Sequence, residues 1–306
     1  MGWLANRKQA RTGLIDEPER DMTTEPDGQT ETCQSNDAPE ERKEAGRLKG
    51  MALRLRRPGK GKSTTGDAPA PVAAYVPEPR EVIDPLLVIS GVVRSFDVGG
   101  NKLQVLKGID MTLRANSLIM LRGRSGSGKT TLLNLMGGLD QPDEGEILFQ
   151  GKPFHTLNDE NRTEARRKEI GFIFQSYALL PLLSAYENVE LSLRMAGIPR
   201  SSWKTRVEHC LDLVGLAKRM HHRPFELSGG EQQRVAIAKS IAHRPVLLLA
   251  DEPTAELDSQ MGAQIMAVFR EIIRQEQVTI CMTTHDPTIM EVADHVYQMV
   301  DGRIQG

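Results

Sequence analysis

The stretch LIMLRGRSGSGKTTLLNLM, residues 118–136, decides the fold of this chain. It opens with four apolar residues of strand length, passes through a glycine-rich turn, and ends in an apolar pattern typical of a helix. The turn from Gly123 to Thr130 matches the pattern G-x-x-x-x-G-K-S/T at every position. In this context backbone N–H groups converge on phosphate oxygens, and the helix N-terminus adds positive potential at the same place. The stretch therefore predicts a phosphate-binding loop.

Two side chains of this loop predict nucleotide chemistry. Lys129 can reach the β- and γ-phosphates of a nucleotide, and the hydroxyl of Thr130 can bind Mg²⁺. The predicted phosphate-binding residues are Gly123, Arg124, Ser125, Gly126, Ser127, Gly128, Lys129, Thr130 and Thr131. A second Gly-Lys-Ser, residues 61–63, is rejected because Arg56 stands where the first glycine should be and no strand precedes it.

Apolar segments of strand length alternate with longer helical stretches from Leu86 onward. The predicted strands are residues 86–89, 118–121, 246–250 and 278–282, and the predicted helices are residues 130–138, 231–242 and 262–274. Near-continuous apolar strands are typical of strands that are buried on both faces. The pattern therefore predicts an α/β fold with a largely parallel sheet.

An acidic pair, Asp251 and Glu252, directly follows the predicted strand at residues 246–250. Carboxylates at the C-terminal end of a parallel strand project into the crevice where ligands bind. Asp251 suits Mg²⁺, and Glu252 suits orienting or deprotonating an attacking water. A solvated strand end is the alternative, and the presence of a phosphate loop favours the site.

Residues 1–80 differ in composition from the rest of the chain. They hold 8 of the 17 prolines but only two aromatic residues. Residues 16–44 carry 11 acidic and three basic residues, whereas residues 47–62 carry seven basic residues and no acidic one. This composition predicts a disordered N-terminal extension, because it offers too little apolar surface to offset the entropy of ordering. A basic arm that contacts anionic lipid or a partner is the alternative.

Composition also bounds the function. The net charge of −2 gives no whole-chain argument for nucleic-acid binding, so no nucleic-acid partner is expected. The three cysteines lie far apart, which favours a reducing cytoplasm over a disulfide framework or a zinc site. No apolar run approaches the roughly 18 residues of a membrane span, and no secretory signal is expected at the N-terminus.

Residues 227–234, LSGGEQQR, resemble the signature motif of the ATP-binding-cassette (ABC) ATPases. A lone Ser-Gly-Gly usually marks a helix cap. Here Ser228 lies 105 residues beyond Gly123 and shortly before Asp251, which is the order of the family. The resemblance implies that this motif closes over the γ-phosphate of ATP held by a second chain. The residues so implied are Ser228, Gly229, Gly230 and Glu231, the last in place of the commoner glutamine.

Three further motifs of the ABC family have counterparts in this chain. Gln175, within residues 171–176, resembles the loop glutamine that contacts Mg²⁺ and senses the transmembrane partner. Asp258 resembles the residue that communicates across the dimer, although the family more often has a small or amide residue where this chain has Glu256. His285, which follows a predicted strand, resembles the switch histidine at the γ-phosphate.

Phe96 lies 27 residues before Gly123, where the family places an aromatic residue that stacks on adenine. The resemblance thus implies one composite ATP site. Its catalytic residues are Lys129, Gln175, Glu252 and His285, and its Mg²⁺ ligands are Thr130, Gln175 and Asp251.

The resemblance implies a P-loop NTPase fold with a RecA-like core, an antiparallel β-subdomain and a helical subdomain at about residues 176–230. The cassette would span residues 81–306. Three local segments resemble the macrolide-export and lipoprotein-release group of bacterial ABC ATPases. They are residues 123–129, 134–140 and 170–175.

The implied function is ATP hydrolysis by a homodimer that drives a separate transmembrane permease subunit, as a translocase. The chain would then lie peripherally at the cytoplasmic face of the inner membrane. The apolar run at residues 179–183 would suit contact with a helix of the permease, with ordinary core packing as the alternative. The alternative function is mechanical signalling through a membrane partner, with no solute moved. The transported substrate is not encoded in this chain.

Overall fold

A computed structural model describes residues 81–286 and 289–305 of the chain. The extension predicted at residues 1–80 lies outside the described residues. The described residues form ten strands: β1 (Leu87–Val98), β2 (Asn101–Leu113), β3 (Leu118–Arg122), β4 (Glu144–Phe149), β5 (Lys152–Pro153), β6 (Ile170–Ile173), β7 (Leu247–Ala250), β8 (Thr279–Thr284), β9 (His295–Val300) and β10 (Arg303–Gln305).

The described strands form two sheets. A four-stranded antiparallel sheet has the order β2-β1-β4-β5, and a six-stranded sheet has the order β10-β9-β3-β8-β7-β6. Every pairing in the larger sheet is parallel except that of β9 with β10 at its edge. The predicted parallel sheet is therefore confirmed, and β3, which precedes the phosphate loop, lies in its interior.

The apolar segment at residues 86–89 was predicted to be a strand buried on both faces; the strand is confirmed, but the prediction of burial on both faces is wrong. It opens β1 of the antiparallel sheet, which continues to Val98. Leu87 and Ile89 are buried, Val88 is half-buried and Ser90 is exposed, so only one face of the strand packs on the core. A run of four apolar residues fits a strand buried on both faces or a strand buried on one face. Four positions are too few to show whether apolar and polar residues alternate. The antiparallel subdomain implied by the family resemblance is present.

Six α-helices accompany the sheets in the described residues: α1 (Lys129–Met136), α2 (Asp159–Lys168), α3 (Ala185–Met195), α4 (Trp203–Leu213), α5 (Gly229–Ile241) and α6 (Ser259–Glu276). Short 3-10 turns occur at Arg200–Ser202, Ala217–Arg219, Pro224–Glu226 and Met290–Val292. No helix among the described residues combines the length and the apolar character that crossing a bilayer requires.

The three predicted helices exist, with shifted ends. The helix predicted from residue 231 begins at Gly229, because the Ser228 side chain accepts the N–H of Glu231 and so caps the helix two residues earlier. The helix predicted from residue 262 begins at Ser259, because the Asp258 side chain accepts the N–H of Met261. Both helices therefore begin closer to the N-terminus than predicted, because side-chain caps stabilise the earlier first turns.

The side chains of β3 divide the core between the two faces of the parallel sheet. Leu118 and Met120 pack with α3, α4, α5 and α6, whereas Ile119 and Leu121 pack with α1 and the antiparallel sheet. A strand covered on both faces needs apolar residues at every position. The phosphate loop therefore follows the C-terminal end of a strand that is packed on both faces.

A buried ion pair joins α4 to the C-terminal ends of α5 and α6. Arg206 of α4 donates to Glu276 at the end of α6, at 2.6 Å, and to the carbonyls of Ile241 and Ala242 after α5. Although burial raises the pKa of the Glu276 carboxyl, hydrogen bonds from His209 and Arg206 lower it to about 2. The charge on Glu276 is thereby held in the interior, and three helices are tied at one point.

Candidate functional site

The phosphate loop adopts backbone conformations that only glycine takes without strain. Gly126 and Gly128 have φ angles of +79° and +102°. A Cβ at Gly128 would also lie 2.9 Å from a methyl carbon of Leu106. Glycine is therefore favoured there by both conformation and space, and the loop can lie directly against Val105 and Leu106 of β2.

Lys129 and Ser127 are the buried polar side chains of this loop. The ammonium of Lys129 donates to the carbonyls of Gly123 and Arg124 at 2.9 and 3.2 Å, and the residue is only 5% exposed. The hydroxyl oxygen of Ser127 is buried and has no hydrogen-bond partner among the described residues. Buried polar atoms are ordinarily paired, so an unpaired hydroxyl in this loop is consistent with a bound anion supplying the partner.

One cavity of about 480 Å³ brings the loop together with residues that are distant in sequence. It is lined by Val105, Ser125, Gly126, Gly128, Lys129, Thr130, Thr131, Gln175 and Glu252. Gln175 follows β6 and Glu252 follows β7, and both strands end at the same edge of the parallel sheet. The volume lies in the range typical of small-molecule sites. The structure thus assembles three of the predicted elements in one place: the phosphate loop, Gln175 and Glu252.

Asp251 is held between two hydroxyl groups. Thr130 donates to one carboxylate oxygen at 2.8 Å and Thr283 donates to the other at 2.7 Å. Thr130 opens α1 and Thr283 lies near the end of β8, so the carboxylate bridges the phosphate loop and the neighbouring strand. Hard oxygen donors at this spacing fit Mg²⁺, which prefers carboxylate, hydroxyl and phosphate oxygens.

The Glu252 side chain lies near two other ionisable groups. Its carboxylate oxygens lie 3.7 Å from the ammonium of Lys129 and 3.5 Å from Nδ1 of His285. Its backbone is in the left-handed region, with φ of +47°, and its N–H donates to the hydroxyl of Thr283 at 2.8 Å. This conformation is strained for a residue other than glycine, and backbone strain of this kind is concentrated at functional sites.

Glu252 also borders a second cavity of about 300 Å³, on the side away from the phosphate loop. It is lined by Glu252, Thr254, Ala255, Leu257, Thr284, His285 and Asp286. The side chain of His285 is 64% exposed. The acidic residue therefore stands between the phosphate cavity and an open face of the chain.

The signature residues lie outside both cavities. Ser228 and Glu231 form a reciprocal cap, in which the N–H of Ser228 donates to the Glu231 carboxylate at 2.9 Å and the N–H of Glu231 donates to the Ser228 hydroxyl at 3.3 Å. The hydrogen bond from Ser228 holds the pKa of Glu231 below its usual value. A Cβ at Gly230 would overlap the terminal methyl group of Met261, so the Met261 side chain packs against the bare backbone there. Asp258 is likewise outside the cavities and caps α6.

Phe96 lies near the end of β1 and is 38% exposed. It pairs across the sheet with Leu103, two residues before Val105, which lines the phosphate cavity. The guanidinium of Arg94 lies over its ring, 4.7 Å from the centroid. Phe96 is therefore a partly exposed aromatic residue of the antiparallel sheet, whose partner strand β2 reaches the phosphate cavity at Val105.

Thr283 is a site residue that the sequence reasoning missed. Its hydroxyl contacts both members of the acidic pair, as a donor to Asp251 and an acceptor from the N–H of Glu252. Its side chain is fully buried at the end of β8. The available signal was a polar residue at the end of a buried apolar strand, two positions before His285.

Comparison with known proteins gives the family. A family model described as ABC transporter matches residues 106–255. A lipoprotein-releasing system ATP-binding protein, LolD 2 of Rhodopirellula baltica, is 46% identical over 229 residues, which cover 72% of this chain and 89% of that protein. A macrolide export ATP-binding/permease protein, MacB of Wolinella succinogenes, is 44% identical over 220 residues. The match covers 34% of that protein, so this chain spans about a third of its length.

Solved structures of ATP-binding cassettes are also similar to this chain. The ATP-binding cassette MJ0796, in a dimeric post-hydrolysis state bound to ADP and Pi, superposes with a TM-score of 0.66 at 34% identity, over 72% of this chain and 97% of the other. The cbiO1 protein of Clostridium perfringens, part of the ABC transporter complex cbiONQ, superposes with a TM-score of 0.68 at 29% identity, over 73% of this chain and 88% of the other.

The phosphate loop follows the interior strand β3, and the acidic pair follows β7, with β8 between the two strands in the parallel sheet; together they define a P-loop ATPase. Within that class, the chain belongs to the ATP-binding proteins of the ABC transporter family. The resemblance read from the signature motif, including the macrolide-export and lipoprotein-release group, is thereby confirmed.

Replacing Thr283 by Val is expected to lower ATP turnover by roughly ten- to a hundredfold, because small misplacement of catalytic groups is costly. Val has nearly the same shape but cannot hold Asp251 or the backbone of Glu252. The measurement is steady-state phosphate release with purified full-length protein. Thr279→Val is the matched control, since Thr279 is also buried on β8 but bonds only Asn116 and Arg114, far from the acidic pair. Equal turnover in the two variants would remove Thr283 from the site.

Proposed function

We propose that this chain binds and hydrolyses ATP as one half of a dimer, and that the dimer drives a separate transmembrane permease subunit. The observation that carries the proposal is the cavity that joins Lys129, Thr130, Gln175 and Glu252 while leaving Ser228 outside. The cavity has groups for binding phosphate and activating water but lacks the signature motif. A second copy of the chain can supply it.

The phosphate loop would hold the triphosphate. Lys129 presents a buried positive charge, and the first-turn N–H groups of α1 have no intrahelical partners and so can donate to phosphate oxygens. Thr130 and Asp251 would hold Mg²⁺, with Gln175 at the same cavity, because their oxygens already lie together. When bound, the metal would neutralise charge on the β- and γ-phosphate oxygens.

Glu252 would orient the attacking water and accept its proton. Its carboxylate lies between Lys129 and His285, so both oxygens have defined directions. His285 is exposed beside it and would contact the γ-phosphate. Asp251 is already engaged by two hydroxyls, which leaves Glu252 as the carboxylate available for proton transfer.

The signature motif would act on the partner's ATP. The N-terminus of α5 offers first-turn N–H groups, and the exposed Gly229 lets a ligand approach the backbone closely. Because these residues are outside the cavity of their own chain, a head-to-tail pair of chains would build two composite sites. The dimeric state of the MJ0796 cassette supports this arrangement. Asp258 would lie near the junction between the two chains.

The permease would dock beside the loop that carries Gln175. A cleft of about 140 Å³ lies between β6, α3 and α5, with Phe174, Tyr177 and Lys239 on its walls. The neighbouring run at residues 179–183 forms turns, in which Leu179 packs on the core but Leu182 is 81% exposed. An exposed apolar group beside a cleft is suited to a helix of a membrane partner. This contact would hold the chain peripherally at the cytoplasmic face of the membrane.

The test is hydrolysis by purified full-length protein at increasing protein concentration, with Mg²⁺ or with EDTA. Turnover per chain should rise with concentration, because only dimers contain complete sites, and EDTA should abolish it. Light scattering should show ATP-dependent dimers. Turnover per chain that is independent of concentration would exclude a shared site, and absence of ATP binding would exclude the proposal altogether. Transport by co-purified permease in vesicles, against ATPase activity without transport, separates solute transport from mechanical signalling.

A further inference from the structure

The two ends of the proposed nucleotide site belong to different sheets. The phosphate loop joins β3 to α1 at the parallel sheet, whereas Phe96 lies on β1 of the antiparallel sheet. A nucleotide has a fixed length between base and triphosphate. Phe96 can therefore serve as a platform for the base only if something holds β1 in place relative to α1.

Arg94 makes the contact on the Phe96 side. It stands two residues before Phe96 on β1, and the contact between the two side chains places them on the same face of the strand. Its guanidinium carbon is 4.7 Å from the ring centroid, which is within the range of a cation–π interaction. The Arg94 side chain is 23% exposed. It covers one face of the ring, and the second face can receive a planar group.

Two carboxylates hold the other side of Arg94. Its Nε and Nη2 donate to the two oxygens of Asp140, both at 2.8 Å, and its Nη1 donates to Asp143 at 2.7 Å. Asp143 in turn accepts the N–H of Ser95 at 2.7 Å. Although desolvation raises the pKa of Asp143, the hydrogen bonds from Arg94 and Ser95 lower it overall, which keeps the carboxylate charged.

Asp140 and Asp143 lie in the turn that connects α1 to β4. Helix α1 begins at Lys129 of the phosphate loop and ends at Met136, so this turn is tied directly to the loop. A continuous path therefore runs from the Phe96 ring through Arg94 and Asp140 into α1. A bidentate pair fixes both distance and orientation, which a single contact would not do.

We propose that Arg94 is a positioning residue for the nucleobase, which holds the Phe96 ring at a set distance from the phosphate loop and supports it from behind. The proposal rests on the proposed function, in that the ligand is a nucleotide. It assigns Arg94 to recognition of the base and gives it no part in binding the phosphates.

The experiment compares equilibrium affinity for ATP with affinity for inorganic triphosphate, which lacks the base. Arg94→Ala should weaken ATP binding about fivefold, as expected for loss of a partly exposed cation–π support and the ordered platform. Affinity for triphosphate should not change. Arg94→Lys keeps the charge but loses the planar bidentate fork, so it should resemble Arg94→Ala. At saturating ATP, kcat should be unchanged while KM rises.

Arg114→Ala is the matched control, because Arg114 is an exposed arginine whose salt bridge with Asp84 lies away from the site. Phe96→Ala combined with Arg94→Ala should bind ATP no more weakly than Phe96→Ala alone, since Arg94 acts through the ring. Equal weakening of ATP and triphosphate, additive losses, or unchanged ATP affinity in Arg94→Ala would each overturn the proposal. If the wild-type chain binds triphosphate but shows no preference for ATP, the proposal also fails. If it binds neither, the proposed function fails first.

Discussion

Replacing Glu252 by Gln is expected to lower ATP turnover by about a hundredfold or more, the range that a positioned general base contributes. ATP binding should stay close to that of the wild type. The amide has the shape of the carboxylate, so the site near Lys129 and His285 is kept, but an amide cannot accept the proton of the attacking water. In the proposed cycle, ATP binding closes the dimer and ATP hydrolysis reopens it. The variant should therefore accumulate as an ATP-bound dimer. Single-turnover phosphate release and light scattering measure the two effects.

The control is Glu271→Gln, which changes a surface carboxylate of α6 that pairs with Arg274. It should leave turnover and dimerisation unchanged. Phosphate release by Glu252→Gln at the wild-type rate would show that another group accepts the proton. Loss of ATP binding in Glu252→Gln would instead mean that Glu252 serves to hold the phosphate loop through Lys129.

Gly229→Asp and Lys129→Ala should each reduce hydrolysis by more than about a hundredfold, for different reasons that a mixture can separate. Lys129→Ala removes the buried charge that faces the phosphates, so it should also weaken ATP binding. Gly229→Asp leaves that charge in place but brings a carboxylate toward the partner's γ-phosphate, so ATP should bind while closure fails. Equilibrium titration with ATP distinguishes the two variants before they are mixed.

In a mixture of the two variants, a head-to-tail heterodimer collects both lesions in one composite site and leaves the other site intact. Activity should therefore recover, provided that one intact site suffices. The matched control is wild type mixed with a chain that carries both changes, in which every heterodimer has two damaged sites. That mixture should fall below simple dilution of the wild type. Sites contained within one chain predict no recovery in the first mixture and simple dilution in the second.

Cross-linking tests the same arrangement when both sites must work together. Cysteines placed at Ser125 of one chain and Ser228 of another should link in an ATP-dependent way. Cys210 and Cys281 are buried and do not interfere, and Cys33 can be replaced by Ser. An ATP-dependent link formed within one chain, with none between chains, would refute the shared site.

The sequence by itself was sufficient for those features that depend on local chemistry. The phosphate loop needs glycines with positive φ, a lysine and a hydroxyl at fixed spacing, so residues 123–130 identify it wherever it occurs. The apolar residues 118–121 of β3 and 247–250 of β7 predicted burial on both faces, and Asp251 and Glu252 directly follow β7. Because the strands are parallel, their C-terminal ends meet at one edge of the sheet, so the acidic pair is expected at the same edge as the phosphate loop.

Only the tertiary structure decided which partners complete the site. The four apolar residues at 86–89 fit a buried parallel strand or one face of an antiparallel strand, and pairing with β2 and β4 selected the second. Thr283 is polar in an apolar strand, and its importance depends on contact with Asp251, 32 residues away. Arg94 depends on Asp140, 46 residues away. Such contacts join residues that are far apart in the sequence. No helix or strand periodicity relates them, because the tertiary fold brings them together.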